Sequence, residues 1–119
     1  MDKIRITGGP RLDGAIPISG AKNAALPLMI ASLLTDETLT LANVPRLSDV
    51  SALSRILSNH GVDRSIAGKR IGQSAETGQT IALTARQIVD TCAPYELVST
   101  MRASFWVIAP ILARMGEAK

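Results

Sequence analysis

The stretch Ile18-Ser19-Gly20-Ala21-Lys22-Asn23-Ala24-Ala25-Leu26-Pro27 is a glycine turn that runs into a helix start, with a lysine at the mouth. Beyond it, Leu26, Met29, Ile30, Leu33 and Leu34 recur at helical spacing, which predicts a helix over residues 24–34. Pro27 is tolerated only near the first turn, where its missing N–H costs no intrahelical bond. The helix therefore starts close to Asn23 or Ala24, and Lys22 and Asn23 sit at its N-terminus. Free N–H groups and the helix dipole favour an anion at such a place. A lysine ammonium is a point charge suited to phosphate or carboxylate, and Asn23 offers both a donor and an acceptor. A cation at a helix N-terminus is itself unfavourable by roughly 0.3–1 kcal/mol, so the placement carries information. In the plainer reading Ser19 caps the helix and Lys22 is a solvated surface lysine. The residues alone leave both readings open.

Working outward, Ile4-Arg5-Ile6-Thr7 alternates apolar and polar as a half-buried strand does, and residues 15–19 form a second short strand. Pro17 puts that second strand at a sheet edge, because proline cannot donate to the ladder. On the other side, Thr38-Leu39-Thr40-Leu41 predicts a strand. Ser48 then serves as N-cap of a helix with Val50, Leu53, Ile56 and Leu57 on one face, and Gly61 stops it. Residues 62–66 and 80–84 read as strands around a polar turn at 69–78, and residues 87–91 as a short strand or a turn. Pro94 opens a long helix over residues 95–115, kinked by Pro110 and stopped by Gly116. From Phe105 on this helix is apolar all round, so it is expected to be buried on most sides. The fold class is α+β (mixed α/β), with strands and helices alternating in packed βαβ-type units.

The chain of 119 residues suits one small domain, and 46% hydrophobic residues supply a core that must be aliphatic, since only 3% are aromatic. Thirteen basic against ten acidic residues leave +3, spread along the chain without a basic cluster or interleaved aromatics. That composition argues against nucleic acid and keeps anionic small molecules as partners. One cysteine, Cys92, allows no intrachain disulfide and fits a reducing compartment. The charged N-terminus is no signal peptide, and the most apolar stretch, residues 103–113, falls short of the about 20 residues that a membrane span needs. A cytoplasmic protein with no membrane contact is expected.

A second motif is Met101-Arg102-Ala103-Ser104, an arginine just ahead of an apolar helical stretch. Such an arginine is not buried without a partner, and a structural ion pair or a surface position is its plain reading. Trp106, one turn on, either lines the same site as Arg102 or anchors the core, and core packing is the favoured role. His60 beside Gly61 receives only a helix-capping role. Asp36, Glu37, Asp49 and Asp90 have no visible partner, and no His/Cys cluster offers a metal site.

The segment of residues 18–27, together with Leu41-Ala42-Asn43-Val44-Pro45-Arg46-Leu47-Ser48-Asp49-Val50 and residues 92–106 (CAPYELVSTMRASFW), resembles the UDP-N-acetylglucosamine 1-carboxyvinyltransferases. Three separated blocks in the right order cover nearly the whole chain. The resemblance implies transfer of the enolpyruvyl group of phosphoenolpyruvate to the 3′-hydroxyl of UDP-N-acetylglucosamine with release of phosphate, the first committed step of peptidoglycan synthesis. It implies no cofactor and no metal. Lys22 matches the family lysine that contacts phosphoenolpyruvate, Asn23 its neighbour in that contact, and Arg102 an arginine that binds the UDP-sugar. The family's catalytic cysteine lies in a Gly-Gly-Cys loop. Cys92 has the wrong context for it and matches a structural cysteine near a helix start, so that loop is expected beyond Lys119. The family fold is an inside-out α/β barrel (prism) of βαβαββ units in two lobes, here truncated. Residues 1–21 are then N-terminal strands that pair with the other lobe, and residues 22–119 are a partial N-terminal lobe. The remainder of the same enzyme is thus an implied partner, and the chain by itself is expected to be inactive. Two alternatives stand beside this reading: an anion-binding α/β module without catalysis, and part of a shikimate-pathway-type enolpyruvyl transferase.

Overall fold

The computed structural model describes residues 3–67 and 78–119. Helix α1 spans Lys22–Ala31 and tightens into a 3-10 turn over Ser32–Leu34. Strand β1 follows at Thr38–Pro45, helix α2 at Ser48–Asn59, and strands β2 and β3 at Asp63–Ala67 and Gly78–Thr84. A four-residue helix α3, Tyr95–Val98, a 3-10 segment, Arg102–Val107, and helix α4, Ile108–Met115, complete the order. The polar turn expected at 69–78 lies outside the described residues except for Gly78, which opens β3.

The sheet has the order β1-β3-β2, with β3 antiparallel to both neighbours. Strands β1 and β2 therefore run parallel, joined through α2, and β3 fills the place between them. This is the expected βαβ unit, split by a central strand. In β3, Ile81 and Leu83 point into the core while β2 is exposed along its length, as an edge strand tolerates. Ile81 faces Leu41 on one side and Ile66 on the other, and Thr38 and Thr84 share a hydroxyl hydrogen bond of 2.8 Å across the ladder. Helices α1 and α2 and the 3-10 turn after α1 cover the buried face with Met29, Leu33, Leu53, Ile56 and Leu57, all fully enclosed. Burying each such side chain stabilises by about 1.5–3 kcal/mol.

Several expectations need correction. Residues 3–21 hold neither of the expected strands, and Ile4 and Ile6 are each 89% exposed. A strand persists only where a ladder partner takes its N–H and C=O groups, and among the described residues this segment finds no such ladder; near its end Gly20 N–H donates to Asn43 O (3.0 Å) and Ile18 O accepts from Asn43 Nδ2 (3.3 Å). Of the two readings of residues 87–91, strand or turn, the strand is not formed, and the segment holds bends. The N-cap of α2 is Leu47 rather than Ser48, with no side-chain cap. The long helix over 95–115 is interrupted. Ser104 Oγ donates to Val98 O (2.9 Å) and lies against Met101 O, so its hydroxyl holds the carbonyls of the turn that separates α3 from the 3-10 segment. Pro110 falls at the third residue of α4, in its first turn, where a proline is tolerated. The segment after Phe105 is not buried on most sides: Phe105, Trp106, Leu112 and Met115 remain largely open.

His60 does more than cap α2. It is fully buried, its Nδ1 lies 2.7 Å from Asp90 O, and its own carbonyl accepts from Val89 N–H at 3.0 Å. The ring thereby straps the segment after β3 to the end of α2. On the opposite side Arg114 of α4 directs its guanidinium at Leu33 O (3.1 Å), Thr35 O (3.2 Å) and Ala85 O (2.8 Å). These are carbonyls left over where the 3-10 turn and β3 end; the single Nη1 group of Arg114 reaches all three, and Nη2 reaches Arg86 O at 3.5 Å. Replacing Arg114 by Ala removes this donor, and the expected loss is about 1.5–3 kcal/mol of unfolding free energy, read from the shift of the urea midpoint at unchanged m-value.

Candidate functional site

The N-terminus of α1 is set by a backbone contact with the sheet. Asn43 sits within β1 at φ 55°, where the register against β3 slips between Leu41 and Val44. Its carbonyl accepts from Gly20 N–H, and its Nδ2 donates to Ile18 O at 3.3 Å. A Cβ on Gly20 would fall on Asn43 O, deep inside van der Waals contact, so only glycine lets the two backbones meet here. The chain then turns at Ala21, whose carbonyl takes the N–H groups of Ala24 and Ala25. The Lys22 and Asn23 N–H groups find no backbone acceptor among the described residues, as expected of a first helical turn.

Beside this helix start lies a cavity of about 380 Å³. One wall is Lys22, Asn23 and Leu26 of α1; Asp49 of α2 closes one end; Thr100 to Ala103 and Trp106 form the other wall. Lys22 Nζ stands 3.0 Å from Asp49 Oδ2, with both side chains in partial contact with solvent. Asp49 is in the first turn of α2, where the helix dipole favours its charge. Arg102 opens the 3-10 segment and has no ion-pair partner among the described residues. The cavity therefore faces a ligand with two cations, one carboxylate, the Asn23 amide and an indole. That set suits an anion attached to a larger, partly apolar body.

Lys22, Asn23 and Arg102, singled out in sequence, thus line one cavity although about 80 residues of chain separate the first pair from the last. Trp106 is 52% exposed and lines the same cavity, so the favoured core role is corrected: the 3-10 segment turns its ring out of the aliphatic core. Cys92 lies elsewhere, as an exposed free thiol in a loop where its N–H meets Asp90 Oδ1 (2.8 Å) and its carbonyl meets Asn59 Nδ2 (3.2 Å). Sequence reasoning missed Asp49, which it left without a partner, and Asn43. The pairing of Asp49 depends on how α1 packs on α2, which no local pattern encodes. Asn43 was legible in part, since an Asn before Val-Pro at a strand end is the residue type that tolerates a left-handed backbone.

The chain matches the EPSP synthase (3-phosphoshikimate 1-carboxyvinyltransferase) family over residues 6–119, and it belongs to that family of enolpyruvyl transferases. Among curated relatives, the UDP-N-acetylglucosamine 1-carboxyvinyltransferase of Methylorubrum extorquens (strain PA1) is 76% identical over 119 residues, which is 100% of this chain and 28% of that protein. The proteins of the same name from Rhodopseudomonas palustris (strain BisB18) and Brucella ovis are 71% and 72% identical, again over 28% of their length. The chain thus spans a little over a quarter of these relatives. In fold it is similar to the enolpyruvyl transferase NikO from Streptomyces tendae, with a TM-score of 0.72 at 22% identity, over 93% of this chain and 24% of that one.

The contact between Gly20 and Asn43 makes a prediction. Gly20→Ala must push the two backbones apart, and it is expected to shift the amide resonances of Lys22 and Asn23 while destabilising by about 1–3 kcal/mol. A two-dimensional amide spectrum unchanged at these positions would show that the contact does not set the helix start.

Proposed function

We propose that this chain supplies the phosphoenolpyruvate- and sugar-nucleotide-binding wall of a UDP-N-acetylglucosamine 1-carboxyvinyltransferase. The observation that carries the reading is the convergence of Lys22, Asn23 and Arg102 on one cavity, in a chain 71–76% identical to relatives of that name. In the proposed reaction the 3′-hydroxyl gives its proton to a base as its oxygen bonds to C2 of phosphoenolpyruvate, and C3 takes up a proton from an acid, giving a tetrahedral intermediate. Loss of phosphate from C2 and of a proton from C3 then restores the double bond. Both substrates carry several negative charges, so cations must hold them against their mutual repulsion. Lys22 and the N–H groups at the start of α1 take the phosphate and carboxylate of phosphoenolpyruvate, with Asn23 completing the contact. Arg102 takes the UDP-sugar, and Trp106 lines the space beside it.

The general acid and base and the other phosphoenolpyruvate contacts belong, on this reading, to the rest of the whole protein. The exposed arm over residues 3–18, with Ile4, Ile6, Ile16 and Ile18 all turned to solvent, pairs there with the second lobe. A cytoplasmic location goes with the reading, since both substrates are charged metabolites.

Two outcomes are expected. The 119-residue chain alone gives no phosphate release from the two substrates, and measurable turnover would refute the assignment of the acid and base elsewhere. In the whole protein Lys22→Ala lowers kcat/KM by 100-fold or more, about 2.7 kcal/mol of lost transition-state stabilisation. A rate near that of the wild type would remove Lys22 from the site. The competing reading, an anion-binding module without catalysis, is favoured only if the whole protein binds both substrates and never releases phosphate.

A further inference from the structure

Lys22 stands at a helix N-terminus, where the dipole repels its charge. Left to that field and to the rotamer freedom of a long side chain, the ammonium would swing out into water. What opposes this is Asp49, 3.0 Å away on the neighbouring helix. Asp49 is itself held in place, because it sits in the first turn of α2, whose dipole favours a carboxylate, and that helix is anchored by the buried Val50, Leu53, Ile56 and Leu57. The pair is neither sealed nor free: the side chains are 49% and 36% exposed. Solvent-screened pairs of this kind are weak enough for a doubly charged ligand to compete with them.

We infer that Asp49 is a positioning residue for Lys22: its carboxylate holds the ammonium over the cavity in the empty site, and an arriving anion competes with that carboxylate for it. The inference rests on the reading of this cavity as an anion site and adds the internal counter-ion that the reading lacks. Asp49 keeps the ammonium beside the Lys22 and Asn23 N–H groups, which have no backbone acceptor among the described residues, so ammonium and N–H groups meet the ligand together. The cost is repulsion between Asp49 and the anion, which makes affinity for a small anion lower than the two cations alone would give.

The two halves of the inference have separate readouts on the 119-residue chain. The first is the order parameter of the Lys22 Nζ ammonium from 15N relaxation. The second is affinity for inorganic phosphate, followed by 31P titration or by the emission of Trp106, the chain's single tryptophan. Asp49→Asn is expected to lower the order parameter clearly and to tighten phosphate binding about three- to tenfold, the gain that removing one negative charge at an exposed site provides. Asp49→Glu keeps the charge and leaves phosphate affinity within twofold of the wild type. Asp36→Asn, exposed and outside the cavity, changes neither readout. An unchanged Nζ order parameter in Asp49→Asn, or an affinity within twofold of the wild type, overturns the inference. Failure of the underlying anion-site reading looks different: Lys22→Ala then binds phosphate as well as the wild type does, while the order parameter still decides the role of Asp49.

Discussion

The site depends on one backbone contact, the meeting of Gly20 and Asn43. Asn43 leaves the strand conformation at φ 55°, and the ladder between β1 and β3 slips a step around it. The slip turns the Asn43 carbonyl out of the ladder, where Gly20 N–H takes it, and sets the side-chain amide under Ile18 O. Across the sheet Gly78 lies so close that an added Cβ would stand 2.6 Å from the Asn43 Cα. Two glycines are thus pressed against one left-handed asparagine, and α1 starts from that point. Local strain at Asn43 is stored where it orients a binding group. Were the bulge absent, the start of α1 would lose this backbone tie to the sheet and would be placed by the packing of its buried face alone.

The opposite wall is held by different physics. Arg102 and Trp106 lie on a 3-10 segment, a geometry poorer in hydrogen bonding than an α-helix and seldom long. It persists because it is gripped at both ends. Ser104 closes the turn behind it, and α4 ahead of it is tied to the carbonyls of Leu33, Thr35 and Ala85 through Arg114. Val107 and Ile111 reach the core from the same stretch. The wall is therefore pinned from behind while its outer face stays open to ligand.

How much of this is legible in the sequence follows from which forces are local. The start of α1 is readable to within two residues, because a glycine turn and an apolar period point to the same place; Pro27, expected near the first turn, instead falls at the sixth residue of α1, inside the helix. The amphipathic α2 and the alternation in β1 and β3 are readable for the same reason. The arm before Gly20 has the alternation of a strand, but pattern cannot supply a partner strand. The break between Val98 and Arg102 is hidden because an apolar run after a proline reads as one helix; the hydroxyl of Ser104, which competes for backbone carbonyls, is its one trace. Composition misled on Trp106, since a lone tryptophan in an aliphatic chain is most often core. The pairing of Lys22 with Asp49 joins two helices through their packing and lies beyond any local reading.

The cavity's electrostatics also bear on the alternative of a bare anion-binding module. Lys22 and Asp49 are both in contact with water, and charges so placed interact weakly because solvent screens them. Stabilising the charge that develops in a transition state requires fixed dipoles in a site closed to water, where the same ammonium is worth several times more. The geometry offers a way to such closure. Phe105 and Trp106, 70% and 52% exposed, line a second cavity together with Arg102 and Ala103. Large apolar side chains left in water beside a charged cavity mark a surface that gains by being covered. A cover over that rim would exclude water from the Lys22–Asp49 pair, raise the strength of both charges and sharpen the competition between Asp49 and an anionic ligand. Trp106 of that exposed rim and the half-screened Lys22–Asp49 pair border one cavity, an arrangement consistent with the proposed role as one wall of a larger site.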